Sequence, residues 1–227
     1  MEVHPPALHL VLLGPPGSGK STVARPLVAQ HGLTLIATGQ RLRDEIAART
    51  PIGLAVTPFL ERGELAPDDL MEQLLRGSLA KITVDTGFLL DGYPRTEYQA
   101  RMLEATLADV GRPLTAVIDL VVADDEVVRR MSGRRMCVIA GETPIPLHID
   151  DADEIADCLA RGGRLTKRDD DSHDLIRQRL AVYHEQTVPL IAFYRERRLL
   201  LSVDASGDAD VVGARIAASL DEMIRTA

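Results

Sequence analysis

GPPGSGKST, at residues 14–22, directly follows the apolar run LHLVLL at residues 8–13. It is a complete G-x-x-x-x-G-K-[ST] pattern, or P-loop, in the strand–loop–helix context that gives the pattern its meaning. Glycines lack a Cβ, so the backbone can turn its N–H groups toward phosphate oxygens, and the following helix adds its positive N-terminal end. We therefore predict a polyphosphate site in which Lys20 reaches the β- and γ-phosphates and a hydroxyl of Ser21 or Thr22 helps to hold Mg²⁺.

The composition argues against several other classes of function. The 227 residues suffice for one α/β domain with small insertions. A net charge of −8 argues against binding nucleic acid or an acidic membrane through overall charge, and 3% aromatic residues leave little to stack on bases. No apolar run approaches the roughly 20 residues of a membrane span, and the first residues lack the features of a signal peptide, so we expect a cytoplasmic protein.

Short apolar runs alternate with segments of helical character along the chain. Runs that are apolar throughout are typical of strands buried on both faces, and they predict strands at about 8–13, 34–37, 88–91, 115–122 and 199–203. Helices are predicted at about 19–30, 67–82, 96–110, 124–133, 171–195 and 208–225. This alternation predicts an α/β fold with a P-loop-containing, doubly wound, parallel five-stranded sheet and helices on both faces.

Two stretches interrupt this alternation. Residues 39–65 are interpreted as two short helices, broken at Arg49-Thr50-Pro51 and at Gly63. Residues 133–171 are polar, rich in Gly, Pro and Asp, and weakly patterned, and they are too long for a passive connection in a compact domain. We interpret both as insertions that move over the site.

Charged side chains are expected around the phosphates. Asp91 ends the predicted strand FLLD at the carboxyl edge of the sheet, where it can hold Mg²⁺ through water. Transfer of a phosphoryl group between two nucleotides gathers many negative charges, which planar guanidinium groups neutralise well. Six arginines stand near a sheet edge, an insertion or a hinge: Arg43, Arg95, Arg130, Arg134, Arg168 and Arg179.

With these motifs the chain resembles the adenylate kinases of the long-lid bacterial type, from about residue 8 to residue 203. The resemblance is carried by residues 14–22, TGQRLR at 38–43, GELAPD at 63–68, DGYPRT at 91–96 with Gln99, RMSGRR at 130–135, RDDD at 168–171, and Arg179 ahead of Tyr183-His184. It implies a core domain of residues 1–36, 67–132 and 172–227, an AMP-binding insertion of residues 37–66 and a lid of residues 133–171.

The resemblance also implies an activity, the reversible transfer of the terminal phosphoryl group of MgATP to AMP, giving two ADP. Its partners would be these small nucleotides, with no nucleic acid and no membrane, and its cofactor Mg²⁺. ATP would bind at Gly17, Ser18, Gly19, Lys20, Ser21, Thr22, Arg130 and Arg134. AMP would bind at Thr38, Arg43, Glu64, Leu65, Ala66, Gly92, Tyr93, Pro94, Arg95, Gln99, Arg168 and Arg179. The catalytic set would be Lys20, Asp91, Arg95, Arg130, Arg134, Arg168 and Arg179, and the lid hinge would contain Asp170 and Asp171. No large exposed apolar stripe is evident, so we expect a monomer.

The lid departs from its metal-binding relatives, which carry C-x-x-C…C-x-x-C. The four aligned positions here are Cys137, Ala140, Cys158 and Arg161, and a structural zinc needs about four ligands. An altered site could be completed by His148, Asp150, Asp151 or Asp153. A Cys137–Cys158 disulfide is conceivable but is disfavoured in a reducing cytoplasm. We favour two buried free thiols and no structural zinc.

Two other functions remain open at this stage. Thr143-Pro144 stands where relatives often carry an aromatic residue beside the ATP base. The enzyme could therefore be a nucleoside monophosphate kinase of different base preference, including one with GTP as donor. Alternatively, the chain could be a catalytically weak module that senses nucleotides.

Overall fold

A computed structural model describes residues 7–142, 144–168 and 171–226. Its main sheet has five parallel strands in the order β2-β3-β1-β4-β8. Each of the five predicted strands is present, with ends that shift by at most one residue. Their bounds are His9–Leu13 (β1), Thr34–Ala37 (β2), Phe88–Asp91 (β3), Ala116–Val121 (β4) and Leu200–Asp204 (β8).

Helices cover both faces of this sheet, which confirms the predicted doubly wound α/β fold. Neighbouring residues of β1 point into opposite cores: Leu12 packs with Val23 and Leu220 on one face, and Leu13 packs with Leu75 and Leu103 on the other. Strands buried on both sides read as continuous apolar runs for this reason. The helices of the main domain are Lys20–His31 (α1), Asp68–Leu79 (α4), Glu97–Asp109 (α5), Asp124–Gly133 (α6), His173–Val182 (α8), Pro189–Glu196 (α9) and Ala209–Thr226 (α10).

The strand register brings the P-loop and two carboxylates together at one edge of the sheet. Leu12 lies opposite Asp91 of β3, and Leu13 lies opposite Asp119 of β4. The P-loop therefore leaves β1 between two carboxylates. Ligands of open parallel sheets bind at this carboxyl edge.

The first insertion contains two helices, Thr38–Ala47 (α2) and Pro51–Glu61 (α3). Thr50 accepts a hydrogen bond from the backbone N–H of Gly53 and so caps α3. Pro51 suits the first turn because it has no backbone N–H that would be left without a partner there. The two helices approach closely, because a Cβ on Gly53 would lie only 2.1 Å from the carbonyl oxygen of Glu45.

The second insertion has regular structure that the sequence pattern did not predict. It contains a three-stranded antiparallel sheet in the order β6-β5-β7 and one helix. These strands have three to five residues and are mostly half-buried, so they show neither an apolar run nor a clear alternation. The elements are Arg134–Val138 (β5), Ile145–His148 (β6), Ala152–Ala160 (α7) and Arg164–Thr166 (β7).

The prediction of free thiols in this insertion was wrong. Cys137 of β5 and Cys158 of α7 form a disulfide. The physical reason is that α7 packs against β5 and brings the two Cα atoms to 6.0 Å from each other, a distance that a disulfide spans readily. Among the described residues, no group of three or more His, Cys, Asp or Glu side chains could hold a metal ion.

The single helix predicted over residues 171–195 was also wrong. The chain there forms α8, a π-helical turn at Tyr183–Thr187, and then α9. Pro189 has no N–H to donate, and the N–H of Val188 donates instead to the carbonyl of Tyr183 over 3.0 Å, which closes a wider turn.

Within the described ranges, no helix combines the length and the apolar character that crossing a membrane requires.

Candidate active site

Close packing dictates the shape of the glycine-rich loop between β1 and α1. Gly14 and Gly17 have positive φ angles of 135° and 77°. A Cβ on Gly17 would lie 2.6 Å from Cγ of Met131, and one on Gly14 would lie 2.9 Å from the carbonyl oxygen of Leu120. Only glycine combines this backbone conformation with these contacts. The loop leads directly into α1, which begins at Lys20.

The side chain of Lys20 folds back over this loop. Its ammonium donates to the carbonyl oxygens of Gly14 and Pro15 over 2.8 and 2.7 Å, and to Oγ of Ser18 over 3.2 Å. Burial lowers the pKa of Lys20 to about 8, and the neighbouring Arg95 and Arg179 add to this shift while Asp91 and Asp119 oppose it. A bound polyphosphate would add negative charge at this point and would raise that pKa again.

Ser21 and Asp91 form the polar pair at the base of the site. The hydroxyl of Ser21 donates to Oδ2 of Asp91 over 2.8 Å, and the hydroxyl of Thr38 donates to the backbone carbonyl of Asp91 over 3.1 Å. A carboxylate beside a hydroxyl offers the hard oxygen ligands that Mg²⁺ prefers, and this ion is commonly held by one or two carboxylates plus substrate phosphates. The residues present therefore fit Mg²⁺.

All six predicted arginines line one cleft of about 2330 Å³, together with the P-loop. Of these, Arg95 is held at two points: its Nε donates to the carbonyl of Gly92 over 2.8 Å, and its own carbonyl accepts from Thr187 over 2.9 Å. Burial lowers the pKa of Arg95, with Asp91 opposing the shift. The cleft is also lined by Arg43, Arg130, Arg134, Arg168 and Arg179.

Two of these arginines are oriented by acidic partners. Nε of Arg130 donates to Glu126 over 2.6 Å, and Nη2 donates to the carbonyl of Ala205 over 3.0 Å. Hydrogen bonds from Arg129 and Arg130 lower the pKa of Glu126 to about 2. Arg134 pairs with both carboxylate oxygens of Asp171, whose side chain is completely buried. The guanidinium groups of Arg95, Arg130 and Arg134 are thus held in defined positions before any anion arrives.

Most of the remaining predicted residues line the cleft, whereas Thr38, Tyr93 and Asp171 are not among its lining residues. Gln99 is 2% exposed, and its amide is bonded at both ends: Nε2 donates to Asp68 over 2.7 Å, and Oε1 accepts from the N–H of Arg95 over 2.7 Å. Thr38, Tyr93 and Asp171 are buried, whereas the wall of the cleft includes Gly17, Ser18, Gly19, Thr22, Glu64, Leu65, Ala66, Gly92 and Pro94. Asp170 and Thr143 lie outside the described residues.

Several residues that organise the site were not predicted from the sequence. Asp68 orients Gln99, Glu126 orients Arg130, and Thr187 holds the backbone of Arg95. Only Glu126 carried a signal, because it stands four residues before Arg130 on a predicted helix. The other two act across 31 and 92 residues of sequence, and local spacing does not reveal such contacts.

Comparison with known proteins identifies the family. The sequence profile described as "Adenylate kinase" matches residues 12–199 of this chain. The chain belongs to the adenylate kinase family. Curated adenylate kinases that it resembles include that of Acidothermus cellulolyticus, 42% identical over 217 residues that cover 94% of this chain and 98% of that protein. Another is that of Syntrophotalea carbinolica, 43% identical over 215 residues that cover the same two shares.

Membership in the adenylate kinase family confirms the predicted family, fold and class of enzyme, a nucleoside monophosphate kinase. A third adenylate kinase, that of Methanococcoides burtonii, is 38% identical over 95% of this chain. The matched range contains the whole P-loop and all six arginines of the cleft. The geometry described above is therefore that of a phosphotransferase.

Proposed function

We propose that the chain catalyses the reversible transfer of the terminal phosphoryl group of MgATP to AMP, giving two ADP. One observation carries the proposal: six arginines and Lys20 line a single cleft that is continuous with the P-loop. A protein that only bound or hydrolysed ATP would need the P-loop end of this cleft, whereas a second nucleotide requires the arginine-lined far end.

We assign the donor to the P-loop side and the acceptor to the side of α2 and α3. The P-loop backbone with Lys20 would hold the donor phosphates, and Arg130 and Arg134 would contact them from the lid side. Ser21 and Asp91 would hold Mg²⁺, which supplies charge neutralisation at the donor phosphates when it is bound. The acceptor would contact Thr38, Arg43, Gly92, Arg95 and Gln99, with backbone contacts from residues 64–66.

Chemistry at the reacting atoms requires little more than alignment. The phosphate of AMP is already an anionic nucleophile, so no side chain needs to remove a proton from it. Arg95, Arg168 and Arg179 would spread positive charge over the group in transfer and keep the two phosphates in line. Residues 133–171 would act as the lid that excludes water, because an open site would allow hydrolysis of the donor.

The proposal includes the division into a core, an acceptor-binding insertion of residues 37–66 and a lid of residues 133–171. The Gln99 amide makes one hydrogen bond at each end, which fixes its orientation. A primary amide keeps a second N–H and a second oxygen lone pair, and these could pair with the edge of the acceptor base. The cytoplasmic location and the monomeric state stay predictions.

The test is an assay of ADP formation from ATP and AMP, with GTP as an alternative donor and GMP, CMP and UMP as alternative acceptors. We expect AMP-dependent ADP formation with ATP, and a turnover with AMP that exceeds turnover with the other acceptors. Tight binding of ATP and AMP without ADP formation would instead identify a nucleotide-sensing module. Faster turnover with another base would assign the enzyme to a different nucleoside monophosphate.

A further inference from the structure

The described part of the lid, residues 134–142 and 144–168, lacks an apolar core of its own. Among the described residues between 134 and 168, only Cys137 and Cys158 are buried, with exposures of 4% and 2%. None of the three buried apolar clusters that the described residues form includes a residue of this segment. Units below about 40 residues rarely bury enough apolar surface to fold alone, and they usually depend on a disulfide, a metal or a partner.

The disulfide joins the two layers of the lid. Cys137 is the buried residue of β5, the central strand of the lid sheet, and Cys158 is the buried residue of α7. Gly163, which leads into β7, packs directly on this bond, since a Cβ there would lie 2.8 Å from Sγ of Cys158. The disulfide thus occupies the place where an apolar core would otherwise lie.

The same bond supports the wall of the nucleotide cleft. A cavity of about 410 Å³ opens beside the two cysteines. Four of its lining residues, Ile145, Leu147, Asp153 and Glu154, also line the large cleft. Cys137 and Cys158 both line this cavity, so it is the side from which a small thiol would approach the bond.

We propose that this disulfide is a redox-sensitive staple: when it is intact the lid is folded and can close, and when a dithiol reduces it the lid loses its structure while the core stays folded. Only the expected effect on turnover rests on the proposed phosphotransfer; the change in lid structure does not. Within reducing compartments, protein disulfides that do form are usually transient and redox-sensing.

The exchange is an ordinary thiol–disulfide reaction. A thiolate of the dithiol attacks one sulfur of the Cys137–Cys158 bond, and the other cysteine leaves as a thiolate that takes up a proton. The second thiol of the dithiol then displaces the first cysteine and closes a cyclic disulfide. Two electrons and two protons pass from the dithiol to the cysteine pair, and the reverse reaction restores the staple.

The test compares the oxidised protein with the same protein treated with dithiothreitol, and it uses three readouts. Alkylation followed by mass spectrometry counts free thiols, hydrogen exchange reports the protection of lid and core amides, and the coupled assay reports ADP formation. Because Cys137 and Cys158 are the only cysteines of the chain, the reductant has no other disulfide to act on. The double variant C137S/C158S is the matched control, since it cannot form the bond.

We expect no free thiols before reduction and two after it. Protection of the β5 and β7 amides should fall by roughly 30- to 1000-fold, the loss expected for opening a structural disulfide, while β1 and β4 keep theirs. Turnover should fall several-fold in parallel and recover on reoxidation. C137S/C158S should resemble the reduced protein and should not respond to dithiothreitol.

Three results would overturn the proposal: two free thiols with stoichiometric zinc in the protein as isolated, lid protection that changes less than about threefold on reduction, or equal loss of protection in core and lid. Hydrogen exchange needs no catalysis, so it decides the matter even if C137S/C158S does not fold. Oxidised protein that forms no ADP would contradict the proposed phosphotransfer and leave the exchange result intact.

Discussion

The hydroxyl of Ser21 donates to Oδ2 of Asp91 over 2.8 Å and so joins the first turn of the P-loop helix to the end of the neighbouring strand. The two residues are 70 positions apart in the sequence, and the parallel pairing of β1 with β3 brings them together. Both are oxygen ligands that suit Mg²⁺, and both line the cleft that contains the six arginines.

Replacing Asp91 by Asn should therefore reduce catalysis by removing the negative charge that holds the ion. We expect kcat to fall by roughly 10²–10³, on the scale of losing one preorganised electrostatic contact, and we expect more Mg²⁺ to be needed for half-maximal rate. The measurement is ADP formation as a function of magnesium concentration. Asp109→Asn, on an exposed position at the end of α5, should keep the wild-type magnesium dependence; an unchanged dependence in D91N would contradict the assignment.

Lys20→Met removes the ammonium that the loop surrounds. We expect turnover to fall by about 10²–10³ with little change in thermal unfolding, since Met keeps most of the aliphatic stem. The measurement is kcat together with an unfolding scan. Lys81→Met, on an exposed position, is the control and should leave both unchanged. Near-normal turnover of K20M would contradict the role given to Lys20.

The pH dependence of the wild-type protein should report the same group. Burial lowers the pKa of Lys20 to about 8 in the free protein, so its charge is present below that pH and is lost as the pH rises through it. We expect kcat/KM for ATP to fall above pH 8, because this parameter reports the free enzyme. The alkaline limb of kcat should lie at higher pH, because bound phosphates favour the charged form. Coincident limbs for the two parameters would contradict this explanation.

The Arg134–Asp171 pair joins the two ends of the lid segment. Asp171→Asn should leave the guanidinium of Arg134 without its buried anionic partner. We expect the free energy of unfolding to fall by roughly 1–3 kcal/mol. We also expect the KM for ATP to be higher than that of the wild-type protein. Urea unfolding and ATP titrations measure both. The control is Glu97→Gln, whose partner Arg101 is 61% exposed, and which should cost less than about 1 kcal/mol. Equal losses in both variants would contradict the importance of burial.

Two glycines in helices should respond to alanine in opposite directions. Gly53 of α3 has no room for a side chain, because its Cβ would lie 2.1 Å from the carbonyl oxygen of Glu45, so Gly53→Ala should destabilise the protein by about 1–3 kcal/mol. Gly77 of α4 faces open space, and Gly77→Ala should stabilise it by up to about 1 kcal/mol through helix propensity. Urea unfolding of the two variants checks the signs; the same sign in both would contradict the packing of α2 on α3.

The sequence predicted the main sheet well because its three inner strands, β3, β1 and β4, are almost completely buried. In β3, for example, three apolar residues precede Asp91, which lies at the carboxyl edge where the cleft opens. The P-loop was equally clear, since its glycines are demanded by positive φ and by contacts that exclude a Cβ. The P-loop depends on local sequence, and the sheet depends on the alternation of apolar runs with helical segments along the chain.

The lid could not be predicted in the same way. Its strands are short and half-buried, and its interior is a disulfide rather than an apolar cluster, so no periodicity marks it. The prediction of free thiols relied on the reducing character of the cytoplasm. The distance between Cys137 and Cys158 is instead decided by the packing of α7 on β5. Contacts such as Asp68 with Gln99 and Thr187 with Arg95 depend on tertiary packing and leave no local trace.

The most direct test of the account is a crystal structure of the protein with Mg²⁺ and a bisubstrate dinucleotide in which five phosphates join two adenosines. We expect one adenosine beside the P-loop side of the cleft and the other beside Gln99. The guanidinium groups of the six cleft arginines and the ammonium of Lys20 should be in hydrogen-bond contact with the phosphate chain. A dinucleotide bound elsewhere, or a phosphate chain that most of these arginines do not reach in a closed lid, would contradict the central claim that they converge on the group in transfer.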